Sequence, residues 1–385
     1  MPETLSSGKE TYSLKGLVLY FLKLGTIAFG GPVALAGYME RDLVEERGWV
    51  TSEEYIKGLA FSKIAPGPFA TQLALYIGYI RAKTLGATLV GIFFILPSFL
   101  MVVGFAALYV EYGEMAWISA AFYGVSAAVI GIMIRSAYKL TRTVLEKNRL
   151  LWSIFIFSAI ATAWLEGEPL WLLIAAGILN LLYVTRGALF SRSSLKLYFP
   201  LYVLDVIPVA TASRSFIDLF LYFIKAGSVV FGSGLAIVPF LYGEVVTQNH
   251  WLTNKQFVDA VAVSMITPGP VVITVAFIGY LISSLPGAIA AALGVFLPVY
   301  LFVTLLTPFY EKVAKNIKVK AFIFGVTAAT TGAIAGSLFN LGRHSLIELP
   351  SIAIMLVTAA LLFRFKIPEV LIVLAAAAIG LLIKM

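Results

Sequence analysis

The chain carries one segment twice. Residues 23–68 and 225–270 align without a gap at a constant offset of 202, and 14 of the 46 positions are identical. The identities include Lys23/Lys225, Gly25/Gly227, Phe29/Phe231, Gly30/Gly232, Trp49/Trp251, Thr51/Thr253 and Ser62/Ser264. They close on the triplets Pro66-Gly67-Pro68 and Pro268-Gly269-Pro270. Turn residues, a tryptophan and a cation are shared, so apolar composition alone does not explain the match. Duplicated halves in a very apolar chain mark a secondary transporter with its site at the repeat interface.

The apolar character is clear. The chain is 60% hydrophobic and 12% charged, against about 25% charge in soluble proteins. Uncharged runs such as Thr84–Val110, Ala260–Tyr310 and Ala321–Gly342 exceed the roughly 20 residues that span a bilayer. The fold class is therefore an all-α polytopic membrane protein. Met1–Thr11 has no apolar core, which predicts no cleavable leader. The net charge of +8 sits in short loops, where it sets orientation and does not call for nucleic acid. The absence of cysteine excludes disulfides and thiolate metal sites. His250 and His344 fall in polar connections and are too few for a metal centre. No phosphate loop, nucleophile–base pair or cofactor motif is present, so neither an enzyme nor a cofactor is expected.

Each half holds six apolar segments, giving a first repeat over 1–185, a linker over 186–215 and a second repeat over 216–385. Arg81 and Lys83, then Arg135, Lys139, Arg142, Lys147 and Arg149, mark cytoplasmic loops in the first half. Glu111, Glu114, Glu166 and Glu168 mark external ones. In the second half the loop equivalent to the acidic Glu111 loop carries Lys312, Lys315, Lys318 and Lys320. Equivalent loops then face opposite sides, which makes an inverted-repeat transporter. Inversion needs an odd number of crossings per half. The first segment of each repeat is interrupted by Phe29-Gly30-Gly31-Pro32 or Phe231-Gly232-Ser233-Gly234, and irregular backbone at membrane depth is tolerated where protein or water covers it. The expectation is one re-entrant hairpin per half and about ten transmembrane helices, with both termini outside. Tyr55–Ile80 and Phe257–Ser283 count among the crossings. Twelve spans with parallel halves are the alternative.

The candidate site residues cluster at the breaks. Two prolines remove two backbone donors and push the preceding residue out of helical geometry. Each Pro-Gly-Pro must therefore break its segment, with one helix ending near Ala65 and the next starting near Pro68. A helix start offers free N–H groups and partial positive charge to an anion. Lys23 and Lys225 are cations at bilayer depth, which is costly unless they face a cavity or a partner. Lys63 is a third cation, replaced by Met265 in the other copy. Ser62, Ser264, Thr71, Gln72 and Thr274 lie beside the breaks and can donate hydrogen bonds to an oxyanion or back-bond to their own helix. Gly30, Gly31, Gly232 and Ser233 let backbone N–H groups approach a ligand. Pro66, Gly67, Pro68, Pro268, Gly269 and Pro270 complete the substrate-binding set. Carboxylates are nearly absent from the spans: Asp205, Asp218 and Asp259 read as lying near segment edges or in the linker, and Asp42 and Glu244 match in the polar connection. Embedded cations and helix starts without carboxylates describe an anion path. Trp49/Trp251 and Thr51/Thr253 read as interface anchor and helix cap.

Together, Phe29-Gly30-Gly31-Pro32, Glu46-Arg47-Gly48-Trp49, Pro66-Gly67-Pro68, Gly78-Tyr79 and Ile95-Leu96-Pro97 resemble the chromate ion transporter family. Phe231-Gly232, Trp251, Pro268-Gly269-Pro270, Gly279-Tyr280 and Leu297-Pro298 resemble its second domain. The resemblance covers both halves and implies the fused two-domain form. It further implies export of chromate across the inner membrane of a bacterium or archaeon, giving chromate resistance, with sulfate as a related oxyanion. Sulfate transport or chromate/sulfate exchange is the alternative. The partners expected are chromate or sulfate and the lipid bilayer, with a homodimer compatible with this reading.

Overall fold

The computed structural model describes residues 12–29, 31–64, 67–146, 148–166, 170–186, 215–228, 234, 237–309, 316–365 and 367–385. Among them there are helices and no strands. Helix α1 (Leu14–Ile27) begins at Ser13, whose hydroxyl accepts the Gly16 N–H. Helix α2 (Gly31–Glu40) runs on through a π-helical turn, Arg41–Glu46. Tyr12 stacks on Trp49 with ring centroids 5.2 Å apart, and the Tyr20 hydroxyl donates to the Tyr38 carbonyl. So α2 returns alongside α1. At 1.5 Å per residue α1 is about 21 Å long, short of the roughly 30 Å hydrocarbon layer. The second half repeats the device. Helix α8 (Phe216–Ser228) is followed by α9 (Ile237–Leu241) and a π-helical turn, Tyr242–Gln248. Trp251 comes back against Tyr222 with centroids 5.2 Å apart.

The next segment corrects an expectation. Tyr55–Ile80 is not one crossing. Helix α3 (Ser52–Ile64) is capped by Thr51, whose hydroxyl accepts the Glu54 N–H while Glu54 accepts the Thr51 N–H. The chain then breaks, and helix α4 (Phe69–Tyr112) starts back along α3: Phe61 stacks on Tyr76, and a Cβ at Gly58 would stand 2.6 Å from the Tyr76 ring. Residues 15 to 18 apart in sequence touch only if the chain folds back. Phe257–Ser283 does the same. Helix α10 (Asn254–Ile266), capped by a reciprocal Thr253–Gln256 box, meets the start of helix α11 (Thr274–Leu306) where the Thr274 hydroxyl donates to Ser264 Oγ at 2.5 Å. An uninterrupted apolar run looks the same whether it crosses once or enters and returns.

A further reversal lies inside α4. Ala82 and Lys83 leave helical geometry, with φ of 52° at Lys83. A Cβ at Gly86 would stand 2.0 Å from the Gly78 carbonyl oxygen. Positions eight apart touch because 69–81 and 84–112 form a helical hairpin turning on two residues. Ser283 and Ser284 make the same turn in α11, closed by Gly279 and Gly287.

Among the described residues, helix α5 (Ala116–Leu145), helix α12 (Ile317–Ser345), α4 and the Val271–Phe309 stretch containing α11 are the four elements long and apolar enough to cross a bilayer. The last two helices of each half pack on the other half. Helices α6 (Arg149–Leu165) and α7 (Leu170–Thr185) lie on α12, and helices α13 (Leu349–Arg364) and α14 (Glu369–Lys384) lie on α5. Asn340 Nδ2 donates to the Thr162 carbonyl, and Asn180 Nδ2 donates to the Ala321 carbonyl at 2.6 Å. Val144 and Leu145, at the end of α5, share a cavity with Ile317 and Lys320, at the start of α12. Near the other end of α5, the Tyr123 hydroxyl donates to Glu348, just past the end of α12. Equivalent helices α5 and α12 therefore run antiparallel. Trp164, Ile347 and Leu382, each at least 80% exposed, belong to an apolar outer surface of the kind a bilayer covers. The chain is a multi-pass membrane protein.

Candidate functional site

The breaks fall close to where proline chemistry puts them: α3 ends at Ile64 and α4 starts at Phe69. Gly67 has φ +130° and Gly269 φ +102°, a region side-chain-bearing residues rarely adopt. Pro68 and Pro270 occupy N-cap positions with extended ψ, and neither provides a side-chain cap. The first N–H groups of α4 are thus left without a side-chain acceptor, as an anion site requires. Gly67, Pro68, Pro268, Gly269 and Pro270 are buried, away from lipid. Gly30, Pro66, Gly232 and Ser233 lie outside the described residues, and Gly31 opens α2.

What the breaks pack against gives the site its form. The Gly269 N–H donates to the Ala28 carbonyl at 3.1 Å, at the broken end of α1. A Cβ at Gly269 would stand 1.9 Å from Ser98 Oγ, and Ser98 Oγ itself donates to the Gly25 carbonyl. A Cβ at Gly67 would meet Val299 at 2.9 Å and the Gln72 amide nitrogen at 2.7 Å. Ser98 follows Pro97 and Val299 follows Pro298. Each Pro-Gly-Pro is therefore seated on the residue after the other half's Leu-Pro. The sequence flagged both prolines but not the residues behind them. Their matching position after a shared Leu-Pro was the available signal.

The polar side chains divide. Ser62 Oγ back-bonds to the Gly58 carbonyl, and Ser264 Oγ to that of Val261. Thr274 adds its bond to Ser264 across the break. Thr71 and Gln72 are fully buried beside Gly67, and Thr71 Oγ1 makes no hydrogen bond among the described residues. The three cations do not converge. Lys225 Nζ lies 3.1 Å from Glu244 Oε1, so its charge is already answered. In the first half Asp42 pairs with Arg41 instead, and Lys23 is exposed on the face of α1 that carries Leu19 and Ile27. Lys63 is exposed in the last turn of α3.

Two features escaped the sequence. Asp259, read as lying near a segment edge, is fully buried. His250 and His344 line one cavity of about 460 Å³ with Glu166, Tyr242 and Asn254. No group of three His, Asp or Glu side chains among the described residues is placed to hold a metal. At the same end of the bundle, hydrogen bonds from Lys384 and Tyr123 hold the exposed Glu348 carboxyl below its usual range.

Comparison with known proteins meets the same two halves. The family model for the chromate transporter matches residues 15–181 and again 217–381. A chromate transport protein of Cupriavidus metallidurans is 49% identical over 99% of this chain and 96% of its own length. A probable chromate transport protein of Synechococcus elongatus is 49% identical over 96% of each. A chromate transport protein of Pseudomonas aeruginosa is 33% identical over 94% of this chain and 91% of its own. No solved structure matches.

Proposed function

The chain belongs to the chromate transporter family, and from that premise we propose that it exports chromate across the cytoplasmic membrane through the crossed Pro-Gly-Pro breaks. The observation that carries this reading is the reciprocal seating of Gly67 on Val299 and Gly269 on Ser98. It puts two uncapped helix starts at a junction between the halves. The anion would be held by N–H groups following Pro68 and Pro270, by Thr71 and by Gln72, with Lys225 and its partner Glu244 as a charged pair beside the path. Rocking one repeat against the other would expose the junction to each side in turn. Voltage favours exit: one charge across 100 mV is worth about 2.3 kcal/mol, so a dianion leaving a negative interior gains about 4.6 kcal/mol. Efflux of purified protein in vesicles at set voltage, with chromate and sulfate compared, tests the reading. No voltage-dependent chromate flux would end it.

The cations give a graded prediction. Lys23 is exposed beside Leu19 and Ile27, so Lys23→Ala should leave the chromate KM within about twofold. Lys225→Ala should cost more, because it leaves the Glu244 carboxylate unanswered beside the anion path. Lys225→Ala with Glu244→Ala should recover part of that loss. A double variant no better than the single one would remove the pair from the path.

An inverted arrangement of the two halves is our reading of topology, supported by the antiparallel run of α5 and α12; the count of ten is not kept, because Tyr55–Ile80 and Phe257–Ser283 fold back and do not each cross once. The chain has no cysteine, so single cysteines report cleanly. A cysteine at Lys320 should label from the cytoplasm, where it meets the end of α5. One at Glu111 should label from outside. Labelling from the same side rules out inversion.

A further inference from the structure

Asp259 is the one acidic side chain in the fully buried set among the described residues. It sits in α10, in the second half. Its partners come from the first: the Tyr109 hydroxyl of α4 donates to Oδ2 at 2.8 Å, and the Ser126 hydroxyl of α5 donates to Oδ1 at 3.0 Å. Both partners are hydroxyls, and no salt-bridge partner stands among its described neighbours. Lys255, one turn earlier on α10, is exposed and bonded to Ser119. Along α5 four charged groups pair with one another, and Lys139 and Arg142 lie further toward its end. Glu348 and Lys384 meet each other near Tyr123, and Arg135 and Glu369 lie near each other further along. Helix α11 carries no ionisable side chain but Tyr280 and Tyr300, and the charged residues of α12 sit at its ends.

The other copy carries no carboxylate at this place. At the offset of 202, Asp259 corresponds to Lys57, which reaches out from α3 to Glu53 at 2.6 Å. One copy places a solvated cation where the other buries an acid. Holding an unpaired carboxylate charged away from water is costly, and a bound proton removes the cost.

Resting on the transport reading above, we infer that Asp259 is a proton-binding site that couples proton entry to anion exit. Protonation forms one O–H bond at an Asp259 oxygen, the proton coming from water on the face marked by Lys255 and Glu111. Charged, Asp259 accepts from both hydroxyls. Protonated, it becomes a donor, so either Tyr109 or Ser126 has to turn and accept. Proton occupancy therefore changes the latch between α10 and the α4–α5 pair, the contact that must alter if one half rocks against the other. The proton leaves to water on the opposite face, restoring the carboxylate.

The test uses the full chain in phosphatidylethanolamine–phosphatidylglycerol vesicles loaded with chromate, with voltage held at zero by potassium and valinomycin. Acidifying only the outer solution leaves the internal chromate unchanged. Wild-type chromate exit should accelerate several-fold, with proton entry read by a lumenal dye. Asp259→Asn should lose that acceleration while chromate counterflow stays within about twofold of wild type. Equal acceleration in Asp259→Asn, or no acceleration in wild type, overturns the coupling role. Should the variant not reach the membrane, chromate exit by wild type without proton entry overturns it equally. Absent counterflow in wild type would instead defeat the chromate reading.

Discussion

Alanine at Gly269 is expected to lower chromate transport about a hundredfold while the protein still reaches the membrane. Two costs meet at this position. Its φ of +102° is unfavourable to any residue with a Cβ, a penalty of about 1–2 kcal/mol or more. The added methyl also falls 1.9 Å from Ser98 Oγ, and overpacking costs about 1–3 kcal/mol. Together they remove about 3 kcal/mol from the seated arrangement, two powers of ten in its population. Ser98→Gly in the same chain relieves the collision but not the backbone strain, so it should restore part of the activity. Wild-type transport by Gly269→Ala would show that the crossed seat plays no part in the cycle. Full restoration by Ser98→Gly would show that only the collision mattered.

Valine at Gly86 is expected to remove most folded protein from the membrane. A Cβ there lies 2.0 Å from the Gly78 carbonyl oxygen and 2.8 Å from its carbon. Both are backbone atoms, so no rotamer change gives relief. The two arms of the α4 hairpin would have to part, uncovering Leu75, Val90 and Phe94, which are all buried. Losing even one such side chain from a core costs about 2–5 kcal/mol, a large share of a domain's stability. Detergent-extracted, monodisperse protein measured by size-exclusion chromatography should fall at least about fivefold. Gly287→Val should do the same through Gly279. Gly104→Ala is the control: nothing lies within 4 Å of its added Cβ, and yield should not change. Equal yields from Gly86→Val and Gly104→Ala would refute the hairpin.

The duplicated residues made much of this architecture readable. Proline cannot supply the N–H that an unbroken helix needs, so the interruptions at 65–68 and 267–270 followed from residue type. Thr51 and Thr253, each three residues before Glu54 or Gln256, announced their caps. The direction taken after a break was not readable, because a proline ends a helix without saying where the chain goes next. A signal did exist in the paired glycines: Gly78 and Gly86 recur as Gly279 and Gly287 with the same spacing. On a straight helix eight residues span about 12 Å and the two glycines could not touch. The cations show the opposite limit. Equal position in the two copies suggested equal roles for Lys23 and Lys225, yet only Lys225 meets an acid. A partner from another turn of chain cannot be read from one strip of sequence. Asp259 was misplaced for the same reason, since its burial depends on α4 and α5 rather than on its own neighbours.

The packing of each half's last helices on the other half constrains biogenesis. When the ribosome completes residue 185, α6 and α7 are already made, but the groove that receives them belongs to α12, some 130 residues downstream. Until then their polar groups, Asn180 among them, have no acceptor on α12 and need another partner, since lipid tails offer none. A chain cut short before residue 345 would therefore present an unmatched helix pair to membrane proteases, making premature termination self-flagging.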